Sequence, residues 1–404
     1  MDRTFLIHAG MPKTGSTAIQ AALNGLRTPT HEYLDLGRAN HSHLLHAAFA
    51  DAPSTQLRTD GVDATAFEAG REEARGILHK ALERARARNV MLSAEYISRF
   101  DVGELTALRE ALRPHGACNR VIAYVRPPLS RAESSVQQAL KQGTYVRLGI
   151  PTWPGRTWRR LREVFGADQV ELLPFRKDLL SNGDVVRDLC ERWGLEHPEA
   201  SPGRSNRSLS LEACALLLAQ NRQGRFRTGR PGSNFAYARL ADLLAGFGDR
   251  RLRLHAEVLS SHAGAIRESY AEVAGALRAD LYDLDRPAAG DAIRSEDELL
   301  MVAASLEGAL RDHLSSIDLP EDAVPPAALQ AARSAPGAGD DAVGNVVERL
   351  DAFLFAARVH WAATGRSARG ELAAGRGALA AREPKDRPRR GWKALRRMVF
   401  GARG

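Results

Sequence analysis

The sequence predicts an α/β fold: a three-layer core around a parallel sheet, followed by an α-helical C-terminal extension. Three observations predict it. Short apolar, β-branched runs alternate with helical patterns through the first half of the chain, as parallel strands joined by crossover helices require. A glycine-bearing segment, Gly10 to Thr17, falls between the first such run and the first helical pattern. The chain has 404 residues, 44% of them hydrophobic, which supports one large core with an appended segment, since single cores stop growing near ~250–300 residues.

The expected strands are Thr4–Ala9, Asn89–Ser93, Arg120–Val125 and Gln169–Leu173. After the first, Ile19, Leu23 and Leu26 stand at helical spacing from Ser16 onward, so the glycines occupy a strand-to-helix turn. After the third, Pro127 and Pro128 open a helix through Lys141, because proline is tolerated where the first-turn N–H groups are unpaired anyway. Val185, Val186, Leu189 and Trp193 mark an amphipathic helix and Leu211 to Leu218 a largely apolar one; both are expected to pack on the sheet. Ser295 and Glu298 have capping-box spacing ahead of Leu299 and Leu300.

The expected organisation is a catalytic unit over 1–318, a flexible linker over 319–344, a helical segment over 345–380 and a basic amphipathic tail over 381–404. The linker reading rests on a Pro, Ala and Gly composition with few large apolar groups. The formal charge of +8 is local: residues 382–404 carry nine Arg or Lys against two acids. The body is therefore nearly neutral, which argues against nucleic acid as a partner. Trp392, Leu395, Val399 and Phe400 run through the tail near helical spacing, a pattern that suits peripheral contact with an anionic membrane. Cys118, Cys190 and Cys214 are an odd, widely spaced set without a C-x-x-C pair. That usage, with no signal-like or membrane-spanning run, points to the cytoplasm.

Gly10-Met11-Pro12-Lys13-Thr14-Gly15-Ser16-Thr17 turns backbone N–H groups and a helix N-terminus toward one point, which makes an anion cradle of the nucleotide phosphate-loop (P-loop) type. A nucleoside-triphosphate loop places lysine directly after its second glycine. Here Lys13 lies two residues before Gly15 and Ser16 follows it. A second segment, Tyr124-Val125-Arg126-Pro127-Pro128-Leu129-Ser130-Arg131-Ala132-Glu133-Ser134, has an arginine at a strand end and a serine eight residues on. A guanidinium fork and a helix-borne hydroxyl are suited to one phosphate.

Together these segments resemble the donor-binding motifs of sulfotransferases that use 3′-phosphoadenosine 5′-phosphosulfate (PAPS), in particular bacterial, carbohydrate-sulfotransferase-like members. The resemblance implies that Lys13, Thr14, Gly15, Ser16 and Thr17 contact the 5′-phosphosulfate and that Arg126 and Ser134 share the 3′-phosphate. It implies PAPS as co-substrate, no required metal, and a carbohydrate or glycolipid acceptor. Softer similarity lies in Phe165-Gly166-Ala167-Asp168, Pro174-Phe175-Arg176-Lys177-Asp178 and Asn206-Arg207-Ser208-Leu209-Ser210, and it fades past Asn221.

Sulfuryl transfer needs positive charge at the leaving group and a base for the acceptor proton. Lys13 meets the first need. For the base, Glu95 follows the second expected strand, and carbohydrate sulfotransferases use a glutamate after the corresponding strand; His43, among His41, His43 and His46, is the competing candidate. Those three histidines lack carboxylate or cysteine partners at metal-ligand spacing, and His8 reads as a hydrogen-bonded core residue. Tyr145 and Arg147 are candidates for an acceptor cleft, and Arg222, Arg225, Arg227 and Arg230 for a loop over an anion. Two rival readings remain: a P-loop kinase or ATPase, and an inactive PAPS-fold adaptor at a membrane surface.

Overall fold

The computed structural model describes residues 3–54, 58, 62–116, 118–144, 146–196, 208–224, 240–317, 325–335 and 339–363. Five strands, β1 (Thr4–His8), β2 (His31–Tyr33), β3 (Asn89–Ser93), β4 (Cys118–Val125) and β5 (Val170–Pro174), form one sheet in the order β2-β3-β1-β4-β5. Every pairing is parallel, with Thr4 opposite both Asn89 and Cys118.

Side chains alternate between the faces, and both faces are covered. Phe5, Ile7, Val90, Leu92, Val121, Ala123 and Leu172 join one buried cluster, with residues of helices Val102–Leu112, Pro154–Phe165 and Ala263–Leu277. Leu6, Met91, Ile122, Tyr124 and Leu173 join another, closed by Ile19 and Leu23 of helix Ser16–Leu23 and Leu189 and Trp193 of helix Val185–Trp193. The three-layer α/β core is therefore present. Local signals set the boundaries: Asp101 and Glu104 form a full capping box at the start of Val102–Leu112. Gly143, at φ +58°, ends helix Pro128–Gln142. At Ser295 the hydroxyl accepts from the Glu298 N–H, while the Glu298 carboxylate accepts from the Arg294 N–H rather than from the cap residue.

Two expectations are corrected. Helix Leu211–Gln223 has helices rather than the sheet as its main partners: Pro128–Gln142, Glu296–Ala304 and Ala342–Ala363. Its residues from Leu211 to Gln220 are all buried, so it is enclosed on every side, as a helix apolar all round demands. The side chain of Gln220 donates to Asp351 at 2.6 Å, tying this helix to the C-terminal one. Within 319–344, read as a linker, lies helix Pro326–Ser334, with Ala328, Leu329 and Ala332 buried against Ala342–Ala363. Small alanines are what allow that close packing, and Arg349 donates to the carbonyls of Ala332 and Arg333 at the helix end. The tail at 381–404 lies outside the described residues. Among those described, no helix is long and apolar enough to cross a membrane.

Candidate functional site

The chain leaves β1, passes through β2 and β3 on one side, and then crosses to β4 on the other, so the carboxyl end of β1 faces a topological switch point. The Gly10–Thr17 turn occupies that position. Gly10 stands at φ +88°, and a Cβ there would meet the Glu95 Cα at 3.1 Å, so glycine lets the loop pass against the end of β3. Gly15 stands at φ +81°, where a Cβ would lie 2.7 Å from Val185. The Thr14 hydroxyl donates to the Met11 carbonyl at 2.5 Å and closes the loop on itself. The N–H groups of Gly15, Ser16 and Thr17 bond to no acceptor among the described residues, so the turn presents them as open donors at a helix start.

Lys13 adopts φ +69°, a left-handed conformation that a side chain rarely takes and that is held here by its surroundings. Its ammonium donates to Gln138 at 3.2 Å. Burial holds this lysine below its ordinary range; Glu95 opposes that shift, while Arg126, Lys141 and Arg131 reinforce it.

Arg126, just after β4, joins the Gly10–Thr17 turn to the Pro128–Gln142 helix start. Its guanidinium donates to the Lys13 carbonyl at 2.9 Å and to the Ser130 hydroxyl at 2.9 Å, and stacks 5.4 Å from the Phe175 ring centre. Its own carbonyl accepts from the Tyr270 hydroxyl at 2.5 Å. Ser130, Ser134 and Gln138 follow one another at four-residue spacing on helix Pro128–Gln142 and share a face. Ser130 touches Arg126 and Gln138 touches Lys13, so half-buried Ser134 lies on the stripe between them.

Glu95 begins the 3-10 turn Glu95–Arg99 just beyond β3. Burial raises its carboxyl above the usual range, and Lys13, Ser16 and Arg99 pull it back. The buried Ser16 hydroxyl makes no hydrogen bond of full geometry, yet lies close enough to favour the ionised carboxylate.

No family model matches the chain, and no curated protein matches it. Among solved structures, a sulfotransferase from Alicyclobacillus acidocaldarius is similar at 14% identity and a TM-score of 0.37, over 69% of this chain and 97% of that one. The chemistry of this chain therefore rests on its own residues.

His43 lies on helix Ser42–Phe49 and meets Tyr96, the residue after Glu95, edge-on, 5.6 Å between ring centres. His41 is buried with Nδ1 accepting from the Ser93 N–H, and burial holds it down at about 3. His46 packs on Phe67 and Tyr96 and is held at about 4, again chiefly by burial. His43 and His46 thus share Tyr96 as a neighbour, whereas His41 packs on Tyr33. His8, fully buried, shares a hydrogen bond of 2.8 Å with the Ser93 hydroxyl and is held at about 4 by burial. The strand ends carry Ala94 and Glu95 after β3 and Arg126 after β4, without the aspartate that a magnesium-dependent P-loop kinase places there.

Arg222 lies in the last turn of its helix and pairs with Glu296, so it is not part of a solvated loop. Tyr145, Asn206, Arg207, Arg225, Arg227 and Arg230 fall outside the described residues. Sequence reasoning missed Gln138, Ser130, Phe175 and Tyr270 as members of the site. For the first two a signal was available in their four-residue spacing from Ser134. Phe175 stood in a stretch of softer family similarity to which no role was given, and nothing local marks Tyr270.

Proposed function

We propose that this chain is a sulfotransferase that moves the sulfuryl group of PAPS to a hydroxyl or amine of a carbohydrate or glycolipid acceptor. The observation that carries the reading is the 2.9 Å bond from Arg126 to the Lys13 carbonyl, which joins two anion-binding segments 113 residues apart. One cradle offers open backbone N–H groups and a lysine; beside it stand an arginine with further donors and a serine on the adjoining helix. A donor with a phosphosulfate at one end and a separate 3′-phosphate fits that pair better than a nucleoside triphosphate, whose charge is all at one end.

In this reading the 5′-phosphosulfate lies over Gly15, Ser16 and Thr17, with Thr14 bracing the turn, and the 3′-phosphate takes Arg126 and Ser134. Glu95 accepts the acceptor's proton as the acceptor oxygen or nitrogen forms its bond to sulfur. The bond from sulfur to the bridging oxygen breaks, and its electron pair remains on the 5′-phosphate, where Lys13 neutralises the charge. The products are the sulfated acceptor and 3′-phosphoadenosine 5′-phosphate (PAP). A raised carboxyl is a stronger base than an ordinary one, which suits Glu95 as the proton acceptor.

The test is turnover: PAPS incubated with the protein and a panel of saccharides and glycolipids, with PAP release followed. Release that depends on an acceptor and disappears in Lys13→Ala supports the reading. PAPS left intact with every acceptor, alongside a hydrolysed nucleoside triphosphate, sinks it. Contact of the 381–404 tail with membrane is part of the same proposal; sedimentation with anionic vesicles, lost when the tail is removed, is its expected outcome.

A further inference from the structure

Beside the loop opens a cavity of about 600 Å³ whose wall includes Pro12, next to Lys13. Its other walls come from the elements that carry the remaining proposed machinery. Arg99 ends the turn that Glu95 begins, and Arg131 lies on the helix that carries Ser134. The opposite side is helix Pro154–Phe165 with the preceding Trp153. The lining holds five arginines and a single acid, Glu163.

These arginines divide into two kinds. Arg131 donates to the carbonyls of Ile150 and Pro151, and Arg160 to those of Ser98 and Arg99, so both build the walls. Arg159 is paired with Glu272. Arg99 and Arg156 have no carboxylate within ion-pair distance among the described residues. Each is exposed and lies over an aromatic ring: Arg99 is 5.3 Å from the Tyr96 centre and Arg156 5.2 Å from that of Trp153. Stacking fixes a guanidinium plane and leaves its edge of N–H donors directed outward, the arrangement that receives a carboxylate through two parallel bonds.

We infer that this cavity is the acceptor subsite and that it selects an acidic saccharide, a sugar chain whose carboxylates are received by Arg99 and Arg156. The half-buried Trp153 ring adds a flat apolar surface for a sugar face. The position supplies the geometry: a chain seated between Arg99 and Arg156 passes Pro12, and so brings a hydroxyl toward Lys13 and Glu95. The inference rests on the sulfotransferase reading and adds to it the charge class of the acceptor.

The experiment uses the full chain saturated with PAP and titrates two probes, a galacturonate hexamer and a neutral glucose hexamer, into wild type and into Arg99→Gln/Arg156→Gln. Both proteins carry the basic tail, so general attraction of a polyanion to residues 382–404 is common to both. The wild type is expected to bind the acidic hexamer roughly tenfold or more tightly than the neutral one, and the double variant to lose most of that preference. PAP affinity is expected to be the same in both proteins. An acidic preference that survives the double substitution, or none in a wild type that binds PAP, overturns the inference alone. A wild type that binds no PAP overturns the sulfotransferase reading and the inference with it.

Discussion

Replacing Arg126 by Ala removes two different things, and a pair of donors separates them. The first is the brace: the 2.9 Å bond to the Lys13 carbonyl that holds the loop, which affects any ligand of the cradle. The second is the proposed contact with the 3′-phosphate. A hydrogen bond to a charged group is worth ~1.5–3 kcal/mol, or roughly 10–150-fold in affinity. PAPS and adenosine 5′-phosphosulfate differ only in the 3′-phosphate, so loss of the brace weakens both and cancels in their ratio. Calorimetric titration of both into wild type and Arg126→Ala should show the wild-type preference for PAPS falling by about 10-fold or more. Arg126→Lys, which keeps the charge but not the planar fork, should fall between. Equal weakening of the two ligands, with the preference unchanged, would refute the phosphate role and leave Arg126 as a loop brace.

Three further outcomes are expected. Glu95→Gln should abolish turnover while raising the melting temperature near neutral pH. The folded carboxyl is raised above its unfolded value, so the native state holds the extra proton and loses stability as pH rises through that window; the glutamine variant's advantage should shrink toward zero on acidification below it. His43→Ala should keep turnover, because the proposed mechanism gives the acceptor's proton to Glu95; loss of turnover there with retention in Glu95→Gln would move the base to the histidine. Gly15→Ala forces a side chain at φ +81° against Val185 and Phe175 and should cost ~1–3 kcal/mol in chemical denaturation, as well as donor affinity. An unchanged denaturation midpoint would mean the turn tolerates a Cβ.

The parts of this molecule that were legible in the sequence are those whose physics is local. Four of the five strands are apolar runs of five to eight residues that could be drawn directly, to within about two residues at their ends. The missing β2, His31–Tyr33, is three residues at the sheet's edge, too short to show a period. Helix Pro326–Ser334 escaped because an alanine-rich segment buries little apolar surface per residue; its place depends on the long C-terminal helix it packs against. In the site, Arg126 stood out because it directly follows a strand, Glu95 because it stands two residues after one, and Lys13 because it sits in the glycine-bearing turn after β1. Gln138 and Tyr270 reach the site across the fold, through contacts spanning 125 and 144 residues, and no local pattern encodes such distances.

The central claim is that this cradle recognises a nucleotide with phosphate at both its 3′ and 5′ positions. Calorimetric titration of the wild-type chain with PAP, 5′-AMP and ATP–Mg²⁺ tests it most directly. Tight binding of PAP, with 5′-AMP weaker by about tenfold or more and no preference for ATP–Mg²⁺, is the predicted result. A preference for ATP–Mg²⁺ over PAP would contradict the account.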